Sequence, residues 1–152
     1  TDAEGRVILS DALAEAADDE PDLLLDFATL TGAARVALGP DLPALFSNEE
    51  GVAEDLLSHG KAVDDPLWRL PLWQDYRKMI DGASADITNS AESPFGGAIT
   101  AALFLERFVG KKTRWAHVDT MAWNVATRAG RPKGGEAFGL RAAFAMIEER
   151  FA

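Results

Sequence analysis

The chain has 152 residues, 47% of them hydrophobic, with four Trp and eight Phe, which is enough for the core of one domain and excludes an intrinsically disordered chain. Its 15 basic against 25 acidic residues give a formal charge of −10, which disfavours unspecific binding to nucleic acid or anionic lipid. The absence of cysteine excludes disulfides and thiolate metal sites and is compatible with the cytoplasm, the expected location. No apolar run approaches the roughly 18–20 residues that span a bilayer, so no membrane partner is expected.

From Arg6 to Ala17 the apolar residues Val7, Ile8, Leu13, Ala14 and Ala17 fall at helical spacing, and the acidic turn Asp18-Asp19-Glu20-Pro21 ends the helix. Asp22 to Leu30 is short and nearly continuously apolar, as in a buried strand of a parallel sheet. The small residues from Thr29 to Ala37 open a helix or a tight loop. Ala44 to Ser47 reads as a strand and Glu49 to His59 as a helix closed by Gly60. Pro66 and Pro71 bracket Trp68 in an expected turn, and Trp73 to Ile80 is expected to be helical. Ala85 to Thr88 is strand-like, Ser90 to Gly97 is loop, and Ala98 to Val109 is the clearest buried helix. Arg114 to Asp119 reads as a buried strand, Arg128 to Gly139 as a long glycine-rich loop, and Leu140 to Phe151 as a closing helix. Alternating strands and helices argue for a three-layer α/β architecture, with a mixed, largely buried sheet between helices.

Thr1-Asp2-Ala3-Glu4-Gly5-Arg6 alternates charged with small side chains. In an extended segment Asp2, Glu4 and Arg6 project from one side, because the side-chain period of a strand is two. Two carboxylates on one side make part of a hard-oxygen metal site, and an arginine beside them holds an anion. The alternative is a polar turn that caps the following helix, where acidic residues are favoured electrostatically. His117, inside an apolar strand, reads as a hydrogen-bonded core histidine, and His59 as a helix-end residue facing solvent. Trp68, Trp73, Trp115 and Trp123 are core or subunit-contact candidates.

The segment Thr1 to Arg6 resembles the N-T-D-A-E-G-R signature of the leucyl aminopeptidases, also called the cytosol aminopeptidase family. Further stretches resemble family segments in the same order. Asp26 to Ala33 is similar to D-x-A-T-L-T-G-A, Pro66 to Pro71 to P-x-W-x-L-P, and Ala85 to Asn89 to A-D-x-x-N. Gly97 to Leu105 and Trp115 to Asp119 complete a resemblance that covers nearly the whole chain.

The resemblance implies a dinuclear manganese or zinc aminopeptidase that removes N-terminal, leucine-type residues from peptides. Asp2 and Glu4 then correspond to metal ligands, Arg6 to the active-site arginine associated with bicarbonate, and Thr29, Leu30 and Gly32 to substrate-lining positions. A structural alternative for Thr29 to Ala33 is a strand-to-helix connection that needs small residues for packing. Many members continue I-A-G after the segment matching His117-Val118-Asp119, where this chain has Thr120-Met121-Ala122-Trp123-Asn124. If Met121 and Trp123 line the pocket, their bulk shifts preference away from leucine. The family's other ligands, a lysine and two aspartates, and its second catalytic lysine lie upstream of the signature. Residues 1–152 are therefore expected to be the C-terminal part of a larger catalytic domain, inactive by itself and belonging to a homo-oligomer, hexameric as in the family. The competing expectation is a non-catalytic scaffold or assembly module. A nucleic-acid role is disfavoured by the net charge of −10.

Overall fold

The computed structural model of the chain describes residues 3–82, 86–91 and 93–152. Four strands, β1 (Leu24–Ala28), β2 (Ala44–Ser47), β3 (Trp68–Arg69) and β4 (Trp115–Asp119), form a mixed sheet in the order β1-β4-β2-β3. β4 runs parallel to β1, with Asp26 opposite His117 and Ala28 opposite Asp119, and antiparallel to β2. β3 adds in parallel to β2.

Side chains alternate between the sheet's two faces. On one face Leu45, Ala116 and Val118 pack with helices α3 (Glu50–Ala62) and α5 (Leu140–Phe151) through Val52, Leu56, Ala142 and Met146. On the other, Phe46 and Trp115 meet α1 (Glu4–Asp18), α2 (Gly32–Leu38) and α4 (Gly97–Glu106) through Leu13, Ala34 and Leu103. The result is the expected three-layer arrangement. A second, two-stranded sheet pairs β5 (Trp123–Asn124) with β6 (Gly134–Gly135), the latter inside the segment read as loop.

Several local expectations are corrected. Helix α1 begins at Glu4, so the N-terminal alternation from Glu4 to Arg6 is helical and not extended. Trp68 lies in the short edge strand β3 rather than in a turn; its N–H donates to the Pro43 carbonyl at 3.0 Å. Residues Gln74–Met79 are helical as expected, in the form of a 3₁₀ helix. The 85–88 segment contributes only a bridge from Ile87 to Asp81, and Ala85 lies outside the described residues. Strand β1 is not covered throughout, since Phe27 remains 40% exposed.

Gly60 does not close α3 but lies inside it, buried. A Cβ there would come within 2.8 Å of the Asp65 carbonyl and 3.3 Å of Ala142 Cβ, so glycine permits the close approach of the α3 end to α5. The Asp65 carboxylate then accepts from the N–H groups of Gly139, Arg141 and Ala142, supplying the cap that Gly139 cannot provide.

His59 is also not simply turned to solvent. Its Nδ1 donates to the Asp55 carbonyl at 2.7 Å, and its Nε2 to Glu149 of α5 at 2.9 Å. Both partners are acceptors, so the imidazolium satisfies both bonds; the Asp55 carbonyl first, then Glu149, raises the His59 pKa above the usual value. The sign follows from linkage. The contribution of His59 to stability is complete below the unfolded value of 6.5 and fades as pH rises through the raised folded value. Thermal unfolding from about pH 5.5 to about pH 8.5 should show the advantage of wild type over His59→Gln shrinking towards the alkaline end. A constant difference across that range would remove the switch.

Candidate active site

Strands β1 and β4 are parallel and end together, so the segments that follow them emerge at one edge of the sheet. On this edge Ala28 continues into Thr29, Leu30 and Thr31, which leads into α2. Asp119, the last residue of β4 and 2% exposed, holds this turn in place. Its Oδ1 accepts from the N–H groups of Leu30 at 3.0 Å and Thr31 at 3.2 Å. Its Oδ2 accepts from the Thr31 hydroxyl at 2.6 Å, and that hydroxyl oxygen accepts in turn from the Ala34 N–H at 3.1 Å to cap α2.

The N-terminus of α1 lies against the same edge. Ala3 is buried there, and a cleft of about 500 Å³ opens between the first turns of α1 and the end of β1. Glu4, Arg6, Thr29 and Leu30 all line it. Glu4 is exposed, whereas Arg6 is half-buried and donates from Nη1 to the Asn89 carbonyl at 2.8 Å. Burial lowers the Arg6 pKa below the ordinary arginine value, while the Asp119 carboxylate acts in the opposite direction. An arginine stays charged under such opposed influences.

Gly32 begins α2 and does not line the cleft. A Cβ there would meet only Arg35 Nη2 at 3.6 Å, an ordinary contact, so packing within these residues does not demand a glycine. Asp2 lies outside the described residues. Met121 is half-buried, and Trp123 is 47% exposed in β5; neither lines this cleft. A larger cleft of about 940 Å³ runs along a different face of α1, past Asp11, Lys78 and Asp81, and contains none of the predicted site residues.

Among the described residues no three His, Cys, Asp or Glu side chains come together to hold an ion. Glu4 has the right chemistry for one ligand, an exposed carboxylate on the cleft, but one carboxylate does not close a coordination sphere. These residues therefore fit part of a metal centre and not the whole.

Beneath the cleft, on the same sheet face, lies a buried polar cluster. Asp26 accepts from Trp115 Nε1 at 2.7 Å and from His117 Nδ1 at 2.5 Å. The His117 ring is stacked with Trp115 and Phe46, at centroid separations of 6.1 and 6.0 Å. His117 is thus the core histidine expected. Asp119 and Thr31 border the cleft and were given no role by sequence reasoning, although both lie in family-like stretches; an acid at a strand end is usually a local cap.

Comparison with known proteins places these features in a wider set. Residues 1–144 match the model of the cytosol aminopeptidase family, catalytic domain. The crystal structure of a cytosol aminopeptidase from Coxiella burnetii superposes with a TM-score of 0.95 at 56% identity, over 99% of this chain and 33% of that one. The bottromycin maturation enzyme BotP, in complex with Mn, gives a TM-score of 0.91 at 37% identity over 98% of this chain and 34% of its own. A probable cytosol aminopeptidase from a Synechococcus strain is 45% identical over 143 residues, 93% of this chain and 29% of that protein. The chain thus spans about a third of the length of the proteins it matches.

Asp26 is the group on which the buried cluster turns. Asp26→Ala leaves the Trp115 and His117 donors buried without their acceptor and should cost about 3 kcal/mol. Denaturant unfolding measures it, and Asp26→Asn, which retains one acceptor oxygen, should cost clearly less.

Proposed function

We propose that this chain, which belongs to the cytosol aminopeptidase family, is the part of a metal-dependent aminopeptidase that carries Asp2, Glu4, Arg6 and the Thr29–Gly32 segment into the active site. The observation that supports this most directly is the gathering of Glu4, Arg6, Thr29 and Leu30 around one cleft at the shared end of β1 and β4. Glu4, together with Asp2, offers carboxylate oxygens to two divalent ions, manganese or zinc, whose remaining ligands come from elsewhere in the parent protein. The Mn in the related BotP structure accords with that choice of metal. Such ions, when bound, supply Lewis acidity and a water of lowered pKa.

The chain's own residues then do three things. Arg6, kept charged and fixed by its bond to Asn89, holds an anion such as bicarbonate or a developing oxyanion near the reacting carbonyl. The Thr29–Leu30 backbone positions the peptide substrate. The Leu30 N–H is committed to Asp119, and the Leu30 carbonyl is the acceptor of that residue that a substrate N–H would meet. Gly32, which internal packing does not require, leaves room beside that carbonyl. The exposed Trp68 and Trp73, 57% and 53% accessible, fit a contact surface in a homo-oligomer, hexameric as the resemblance implies. No described helix is long and apolar enough to cross a membrane, in keeping with a cytoplasmic peptidase.

The test uses the full-length parent and hydrolysis of a leucine anilide with manganese or zinc. Asp2→Ala and Glu4→Ala should each abolish metal-dependent turnover and leave the fold intact. Arg6→Ala should lower kcat on the order of 100-fold with little change in metal affinity. Residues 1–152 alone should release no leucine. Normal activity of Glu4→Ala would overturn the ligand assignment.

A further inference from the structure

We infer that Asp119 is a positioning residue of this site, and that it sets the placement of the substrate-facing backbone by binding the Leu30–Thr31 turn through both carboxylate oxygens. The inference rests on the aminopeptidase reading above, and it adds a residue to which the motif resemblance gave no role.

Four observations carry it. The turn between β1 and α2 is short, and its substrate-facing residues are exposed or half-buried, so apart from Leu30, which packs against the core, little packing holds it from outside. Asp119 takes three donors of the turn: the Leu30 N–H, the Thr31 N–H and the Thr31 hydroxyl. The carboxylate is itself almost wholly buried at the end of a fully buried strand, so its position is set by the sheet rather than by solvent. The next turn also depends on it, because the Thr31 hydroxyl that donates to Asp119 is the same oxygen that caps α2.

The geometry has a direct consequence for the backbone. With two successive N–H groups drawn to one oxygen, the peptide planes around Leu30 are fixed, and with them the direction of the Leu30 carbonyl. If that carbonyl receives the substrate's N–H, its direction decides how well the peptide is held for attack. A shift of about 1 Å in such a group is worth up to about 100-fold in rate.

A merely structural acid would affect stability alone. A positioning residue affects substrate handling in a protein that is still folded and still loaded with metal. In the full-length parent, Asp119→Ala should raise KM for a leucyl peptide and lower kcat/KM by on the order of 10- to 100-fold, with metal content unchanged. Thr31→Val, which removes the hydroxyl link but leaves the carboxylate and both N–H bonds, should lower kcat/KM by a smaller factor. Thr31→Ser, which restores the hydroxyl, should return close to wild type. The Thr31 pair keeps the test decisive if Asp119→Ala does not fold.

Hydrogen exchange at the Leu30 and Thr31 amides, followed on the same proteins, should accelerate in Asp119→Ala. If wild-type parent is active but a folded Asp119→Ala retains wild-type KM and kcat, or Thr31→Val and Thr31→Ser behave alike, the inference fails while the aminopeptidase reading stands. If wild-type parent hydrolyses no leucyl substrate, the aminopeptidase reading has failed and this inference goes with it.

Discussion

Strand β4 is the element from which the rest is registered. All five of its residues are buried, and it is paired on both edges, parallel to β1 and antiparallel to β2. A strand enclosed in this way has no freedom to slip, because a shift of one residue would exchange the aliphatic Ala116 and Val118 for the polar His117 and Asp119 against α3 and α5. The parallel pairing with β1 brings the ends of the two strands to one edge. The alternation then sends Trp115, His117 and Asp119 to the face that α1 and α4 cover. The chemistry of the chain is therefore concentrated on one face and at one edge, and the opposite face is aliphatic.

Burying polar groups along that face carries a cost unless they are paired. Asp26 pairs with two ring N–H groups and Asp119 with three donors from the following turn. One atom stands apart: His117 Nε2 is buried and has no partner among the described residues. The two carboxylates divide the work. Asp26 ties two side chains of β4 to β1 in the middle of the sheet, while Asp119 ties β4 to the backbone beyond β1 at its end. The α3–α5 layer on the other face has its own polar clasp, in which Arg150 donates to Asp55 at 2.8 Å beside His59 and Glu149. Titration of His59 therefore acts on a seam across the sheet from the cleft.

The elements with strong apolar patterns were legible in the sequence. Ala44–Ser47 and Leu140–Phe151 have the expected bounds, and the buried strand at 115–119 and buried helix at 97–106 follow from their runs of apolar side chains. Three features were not legible, each for a physical reason. The two prolines around Trp68 suggested a turn, but an edge strand needs hydrogen bonds on one side only, and Trp68 and Leu70 donate theirs to Pro43 and Leu45. Gly60 looked like a helix stop because a close backbone approach to Asp65 has no local signature. Asp119 meets Leu30 across 89 positions of sequence, and no local pattern encodes a bond of that range. The motif residues Glu4, Arg6, Thr29 and Leu30 line one cleft, but Glu4 to Arg6 do so from a helix and not from an extended alternation.

That difference bears on how the site works. On a helix, residues two apart point about 200° away from each other, so Glu4 and Arg6 do not converge on a common point. Arg6 turns inward, half-buried and bound to Asn89, while Glu4 stays exposed in the first turn, where a carboxylate is favoured by the helix dipole. The cleft therefore has a fixed cation on its protein side and a solvent-facing carboxylate at its rim. On the proposed reading, an anion beside Arg6 would be held by a side chain that this chain alone fixes in place. An ion bound to Glu4 would need donors from elsewhere, since no three His, Cys, Asp or Glu side chains among the described residues come together to hold one. In the proposed reading, the helical start of α1 thus separates an anion site beside Arg6, which these residues would complete, from a metal site at Glu4, which they would only begin.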